Sequence, residues 1–176
     1  MLDDRPYMRP EGPSFGSSPM RQPWSGWAIL LTINVVVFIL QVIVDPGCLD
    51  GRFGKSIVGQ WLALDPMKLT WLLPMQLITF QFLHGGMFHI LMNALGLFFI
   101  GRALEPAIGR REIIGLYLAS GVVGAFFQIA LAFALPAHFA GPMVGASGAV
   151  FGFIGVLSRL FPQREMYLLL FFVLPI

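Results

Sequence analysis

Three long intervals of this chain carry no charged residue, and they constrain its fold more than any motif does. They lie between Arg21 and Asp45, between Lys68 and Arg102, and between Glu112 and Arg159. Charged residues make up 11% of the 176 and hydrophobic residues 57%, whereas a soluble domain carries about 25% charged residues. So few charges cannot cover a surface in water, and a bilayer is the expected solvent. The net charge of +2 is too small and scattered for a nucleic-acid partner. The lone Cys48 forms no intrachain disulfide and fits no metal-site spacing. No cluster of acidic, histidine and cysteine residues suggests a metal, and no cofactor is expected.

Met1 to Pro23 interleaves five prolines with Gly, Ser and charges, which predicts a disordered tail over 1–26 followed by a membrane domain over 27–176. The tail has no apolar core and no small-residue cleavage site, so it is not read as a signal peptide. Trp27 to Val44 is the first span. The second lies between Lys68 and Arg102, an interval longer than one crossing, so its beginning is expected in the interface. The third runs near Ile113 to Leu135. A break follows at Pro136 to Pro142, around His138, and the fourth runs near Val144 to Ser158. A fifth begins around Met166 and reaches Ile176 too soon to cross, so the chain is expected to be a segment cut inside a helix. The fold class is all-α: a polytopic membrane helix bundle with four full transmembrane helices and the start of a fifth. Phe98, Phe99, Phe126, Phe127, Phe151 and Phe153 are expected to fill packing gaps or face lipid.

Basic residues set the expected orientation. With the N-terminus cytoplasmic, Arg5, Arg9, Arg21, Arg102, Arg110, Arg111, Arg159 and Arg164 lie inside, and Arg52, Lys55 and Lys68 outside. The first outer loop then runs from Asp45 to about Pro74. Asp65-Pro66 predicts a helix start, an N-cap followed by proline at the first helical position. Trp61, Leu62, Leu64, Trp71, Leu72 and Leu73 are too apolar for a solvated loop, which is expected to be partly sunk in the outer leaflet.

Polar groups among apolar spans are costly and so are candidates for function. His89 and Asn93 are four apart and share one helix face, with His84 more than a turn nearer the outer surface. The plain structural reading is a histidine and an amide bonded to neighbouring helices. Gly145-Ala146-Ser147-Gly148 opens the fourth span, with Gly152 and Gly155 beyond. Its plain reading is a glycine-lined packing face with a serine bonded back to a carbonyl. Depth links the two groups. His89 lies 13 residues before Arg102, and Ser147 lies 12 before Arg159. At about 1.5 Å per residue both side chains stand roughly 18–20 Å above the inner charged boundary. That is about 10 Å below the outer face of a ~30 Å core. A serine and an imidazole at one level, within reach of water, would suit hydrolysis inside a membrane.

His84, His89 and Asn93 with this spacing, Gly145-Ala146-Ser147-Gly148, and the run Gly101-Arg102-Ala103-Leu104-Glu105 resemble the rhomboid family of intramembrane serine proteases over roughly Trp27 to Ile176. The resemblance implies a rhomboid-like fold and a Ser–His dyad that cleaves single-span membrane protein substrates near the outer leaflet. It implies Ser147 as nucleophile, His89 and Asn93 with the Ser147 N–H as oxyanion donors, and His84, Gly145 and Gly148 in support. The base it implies is a histidine on a sixth helix, which this segment lacks, so the segment alone is expected to be inactive. Met75-Gln76 stands where many relatives carry a Trp-Arg pair in the outer loop. The competing reading is a catalytically inactive rhomboid-like protein that binds membrane helices for sorting or quality control. A small transporter or structural bundle would instead need paired ionisable groups within the spans. The expected location is the bacterial inner membrane, with the lipid bilayer as partner and no nucleic acid.

Overall fold

The computed structural model describes residues 24–50, 57–163, 167–168 and 174–175. The tail expected over 1–26 lies outside the described residues up to residue 23. Helix α1, Gly26–Val44, is apolar over its 19 residues. Its buried positions Leu30, Asn34, Phe38 and Gln41 recur at helical spacing, while Ile39, Leu40, Ile43 and Val44 face outward. Ser25 gives α1 no side-chain cap. The Glu105 carboxylate takes that role from across the bundle, accepting the N–H groups of Gly26 at 2.8 Å and Trp27 at 2.9 Å. A carboxylate there satisfies two orphan donors and complements the helix dipole.

The chain leaves α1 at Asp45-Pro46 through a 3-10 turn, Pro46–Asp50, and resumes in α2, Ile57–Leu62, and α3, Leu73–Thr79. Asp65-Pro66 does not start a helix. Asp65 closes a local turn, accepting the Met67 N–H on Oδ1 at 3.0 Å and the Lys68 N–H on its carbonyl at 3.1 Å. The physical reason is tertiary: Leu64, one residue earlier, is held in a β-bridge with Met143. The helix begins only at Leu73, with Pro74 in its first turn. The expectation of a loop too apolar for water has a structural counterpart. Ala63 and Leu64 are buried, while Trp61 and Trp71 project outward, Trp71 with 84% of its surface exposed.

After a 3-10 turn at Phe80–Phe82 comes α4, Met87–Gly96, which continues through a π-helical turn at Leu97–Gly101 into α5, Arg102–Ile108. These three make one apolar rod of 22 residues, the second span. Helix α6, Arg110–Ala134, is the third; it starts after Gly109 (φ +96°) and stops at Leu135, the residue before Pro136. A short helix α7, Pro136–Phe139, precedes α8, Ser147–Leu160. Helices α1, α4–α5 and α6 are long and apolar enough to cross a membrane, and α8 is a shorter apolar helix. Helix α8 begins later than Val144 because Gly145 holds a left-handed φ of +113°, which no right-handed helix can include.

The fifth span falls mostly outside the described residues. The four described ones are extended rather than helical: β1, Tyr167–Leu168, pairs antiparallel with β2, Leu174–Pro175.

Helix α8 packs chiefly along α6. Ala149, Phe153 and Leu157 bury its inner face in a core with Leu30, Leu97, Leu104, Ile113 and Tyr117. Of the phenylalanines expected in gaps or lipid, Phe153 is fully buried, whereas Phe99, Phe126, Phe127 and Phe151 face outward. Against α6 the contact is backbone to backbone. A methyl added to Gly148 would meet the Gly121 Cα at 3.6 Å, and one added to Gly152 would overlap the Ser120 side chain. Small residues replace side-chain interdigitation along this seam, as they do where membrane helices pack closely.

The Glu105 cap yields a measurable expectation. Glu105→Ala should lower stability by about 2–3 kcal/mol, and Glu105→Gln, which keeps one acceptor, by about half as much. Thermal unfolding in detergent measures both; a Glu105→Ala protein as stable as the parent would show that the cap contributes nothing.

Candidate active site

Four segments meet at the end of the bundle opposite Glu105: α1, the turn before α4, the start of α4, and the strand-like chain entering α8. Gly86 opens α4 with a φ of +146°, in a region that glycine tolerates. His89 and Asn93 then fall on one face, and the Asn93 amide donates to the His89 carbonyl at 2.9 Å. That bond is the local one expected of a buried asparagine, and it leaves the second amide hydrogen free of the helix.

His89 is half-buried and its Nδ1 lies 3.3 Å from the Gly85 backbone nitrogen. Since a backbone N–H can only donate, Nδ1 accepts and the neutral ring carries its proton on Nε2. His84 has the opposite arrangement. Its Nδ1 lies 3.2 Å from the Phe82 carbonyl, which can only accept, so Nδ1 carries the proton. Its Nε2 is buried without a hydrogen-bond partner among the described residues. The two imidazoles meet edge to face, 5.3 Å between centroids.

The chain entering α8 comes to this pair. Met143 pairs with Leu64, and the Gly145 N–H donates to the Phe80 carbonyl at 2.9 Å. A β-carbon built on Gly145 would lie 2.6 Å from His89 Nε2 and 3.6 Å from Asn93 Nδ2. Gly145 is therefore required twice, by its φ and by the ring against it. Two residues on, Ser147 is the first residue of α8. It is half-buried, its N–H is among the unpaired donors of the helix N-terminus, and its hydroxyl has no hydrogen-bond partner among the described residues. Gly148 lies on the α6 seam. His138 is exposed, in α7.

The structure thus brings His84, His89, Asn93 and Gly145 into contact at the start of the helix that carries Ser147. It also adds residues that the sequence reading passed over. Gln41 of α1 holds the His84 backbone at both ends, its Nε2 donating to the carbonyl at 2.6 Å and its Oε1 accepting the N–H at 3.1 Å. Asn34 and Tyr117 bond each other at 3.1 Å, and the Tyr117 hydroxyl donates to the Gln81 carbonyl at 2.9 Å. A signal existed: Asn34 and Gln41 lie seven apart in a charge-free span, two helical turns along one face.

The family description "Rhomboid domain" matches residues 73–176. This chain belongs to the rhomboid family. It is similar to RHOMBOID-like protein 4 of Arabidopsis thaliana, 43% identical over 174 residues covering 82% of this chain and 42% of that protein. It is also similar to Rhomboid protein 1, mitochondrial, of Saccharomyces cerevisiae, 33% identical over 142 residues covering 81% and 38%. Rhomboid protease GlpG of Klebsiella pneumoniae is 31% identical over 150 residues, covering 81% and 46%. A further Arabidopsis relative, 30% identical over 108 residues covering 61% and 28%, is named Inactive RHOMBOID-like protein 8. The rhomboid relatives thus include proteases and inactive members, and this chain spans less than half the length of each of these four. With its apolar helices, this rhomboid is an integral membrane protein.

Gly145→Ala should test the site's construction. The methyl would need a left-handed φ and would press on the His89 ring, so a loss of roughly 2–4 kcal/mol is expected. Thermal unfolding reads the loss; an unchanged melting temperature would mean that the backbone there is not held as described.

Proposed function

We propose that the full-length protein is an intramembrane serine endopeptidase that cleaves single-span membrane proteins near the outer leaflet, with Ser147 as nucleophile. The observation that supports this most is the contact of His89 and Asn93 with Gly145, two residues before Ser147. In this mechanism Ser147 Oγ attacks the scissile carbonyl carbon, and the carbonyl oxygen becomes an oxyanion. The donors for that oxyanion are the Nε2–H of His89, an Nδ2–H of Asn93 and the Ser147 backbone N–H at the helix N-terminus. The His89 tautomer suits this role, since its free nitrogen carries a proton to share. His84 supports the site from the turn behind.

A serine hydroxyl needs a base to take its proton. The three histidines of this chain do not fit that task. His89 presents Nε2–H, His84 is enclosed, and His138 is exposed in α7. In this reading the base is a histidine outside residues 1–176, and the leaving amine takes its proton from the resulting imidazolium.

An inactive, helix-binding rhomboid is the second reading, favoured by the relative named Inactive RHOMBOID-like protein 8. Labelling of the full-length protein with a fluorophosphonate or isocoumarin probe separates the two. The protease reading expects labelling that Ser147→Ala abolishes with the fold intact. Equal labelling of both forms, or none of either, would reject it. His89→Ala and Asn93→Ala should each lower kcat by about 10²- to 10³-fold, the cost of one lost oxyanion donor, in cleavage of a single-span reporter substrate.

A bacterial inner membrane, with the N-terminus cytoplasmic, fits the concentration of Arg102, Arg110, Arg111 and Arg159 toward one end of the bundle. An N-terminal tag digested by protease added outside intact spheroplasts would reverse that orientation.

A further inference from the structure

We infer that Gln41 is a positioning residue for the proposed oxyanion site, acting through a single peptide group to hold His89 in its Nε2–H form. The inference rests on the protease reading for its meaning but on separate observations for its geometry. The His84 carbonyl and the Gly85 N–H belong to one planar, trans peptide unit. Gln41 Nε2 donates to that carbonyl at 2.6 Å, and the Gly85 N–H at the other end donates to His89 Nδ1 at 3.3 Å. Because the unit is rigid, the direction of its C=O fixes the direction of its N–H. Whatever holds the first aims the second.

The residues that follow restrain it little. Gly85 and Gly86 follow in sequence, the most permissive backbone a chain can offer, and Gly86 already sits at φ +146°. Gln41 supplies the missing restraint from a different helix. Its Oε1 accepts the His84 N–H at 3.1 Å while its Nε2 donates to the His84 carbonyl, so its amide fits in one orientation only; the flipped amide would oppose acceptor to acceptor and donor to donor. Gln41 is 3% exposed, so no water stands ready to replace it. A hydrogen bond accepted by the carbonyl also polarises the peptide and strengthens its N–H as a donor. The chain of effects runs from Gln41 to the His84–Gly85 peptide, to His89 Nδ1, and so to the proton on Nε2 that faces Gly145.

Without Gln41 the peptide is free to turn, the Gly85 N–H leaves Nδ1, and the Nδ1–H form of His89 becomes populated. That form presents a lone pair toward the oxyanion instead of a proton, which is repulsive. The ring stays in place while its chemistry inverts, so a loss in turnover is expected rather than a loss in substrate binding.

The test uses full-length protein in detergent with nitrogen-labelled histidine, the His89 resonances being assigned by difference against His89→Gln. Gln41→Met keeps the side-chain volume and removes both hydrogen bonds to the His84 backbone. Asn34→Leu is the control: it removes an equally buried amide from the same helix without touching His84. In Gln41→Met the His89 nitrogen pattern should shift toward the Nδ1–H form, and in Asn34→Leu it should not. In reporter cleavage, kcat of Gln41→Met should fall at least about tenfold, the scale on which groups that orient a functional histidine act. KM should change by less than about twofold, because only a transition-state contact is lost. A wild-type nitrogen pattern in folded Gln41→Met overturns the inference, as does a kcat loss matched by Asn34→Leu at equal loss of stability. If wild-type protein lacks Ser147-dependent labelling, the protease reading fails, and the nitrogen spectra still decide whether Gln41 sets the tautomer.

Discussion

A bilayer supplies no water to pair a bare peptide group, so chain that is not helical at membrane depth must find its hydrogen bonds in the protein. That constraint governs the approach to α8. Met143 is bridge-paired and Gly145 turns left-handed, and their partners come from the loop between α1 and α4. Leu64 and Met143 exchange bonds of 3.2 and 2.7 Å, and Phe80 accepts from Gly145. The loop is therefore folded and apolar for a reason that begins elsewhere in the chain: it provides the backbone pairing that the strand-like segment lacks. Since Ser147 follows two residues later, its position is set by the loop as much as by its own helix.

Buried amides extend the same pairing between helices. Gln76 donates to the Trp61 carbonyl at 3.3 Å, and Thr79 to the Leu62 carbonyl at 2.7 Å, tying α3 to α2. Gln81 reaches the Leu118 carbonyl of α6 at 3.3 Å. Most of these bonds end on main-chain carbonyls rather than on other side chains. A carbonyl has a second lone pair even when its helical bond is made, so a side-chain amide can bind it without breaking a helix. The bundle is thereby held by interactions that fix rotation and height together, which lipid-facing contacts of Leu and Phe cannot do.

The spans were legible because charge is so costly in hydrocarbon that its absence marks them almost alone. His89 and Asn93 were legible because a spacing of four has one meaning on a helix. Asp65-Pro66 misled because a capping pattern is local, and the Leu64–Met143 bridge, formed with a residue far away in sequence, took the chain in another direction. The start of α8 was missed for a related cause: Gly145 can adopt either hand of φ, and only the His89 ring and the Phe80 carbonyl select the left-handed one. Gln41 was in plain view as a polar residue in an apolar span, but its partner is a peptide group, which no side-chain pattern announces.

The left-handed turn at Gly145 then joins two requirements that would otherwise be independent. It stops the extended chain, so that α8 starts at Ser147 with its first N–H groups unpaired. It also brings the backbone so close to His89 that a side chain has no room. Any shift of the chain entering α8 would move Gly145 from the α4 face, and any shift of His89 would close the space the backbone occupies. In the protease reading, one glycine thus ties the proposed oxyanion donors to the chain two residues before the proposed nucleophile. Preorganisation of this kind is where electrostatic catalysis finds most of its advantage, because the donors need no reorganisation as charge develops.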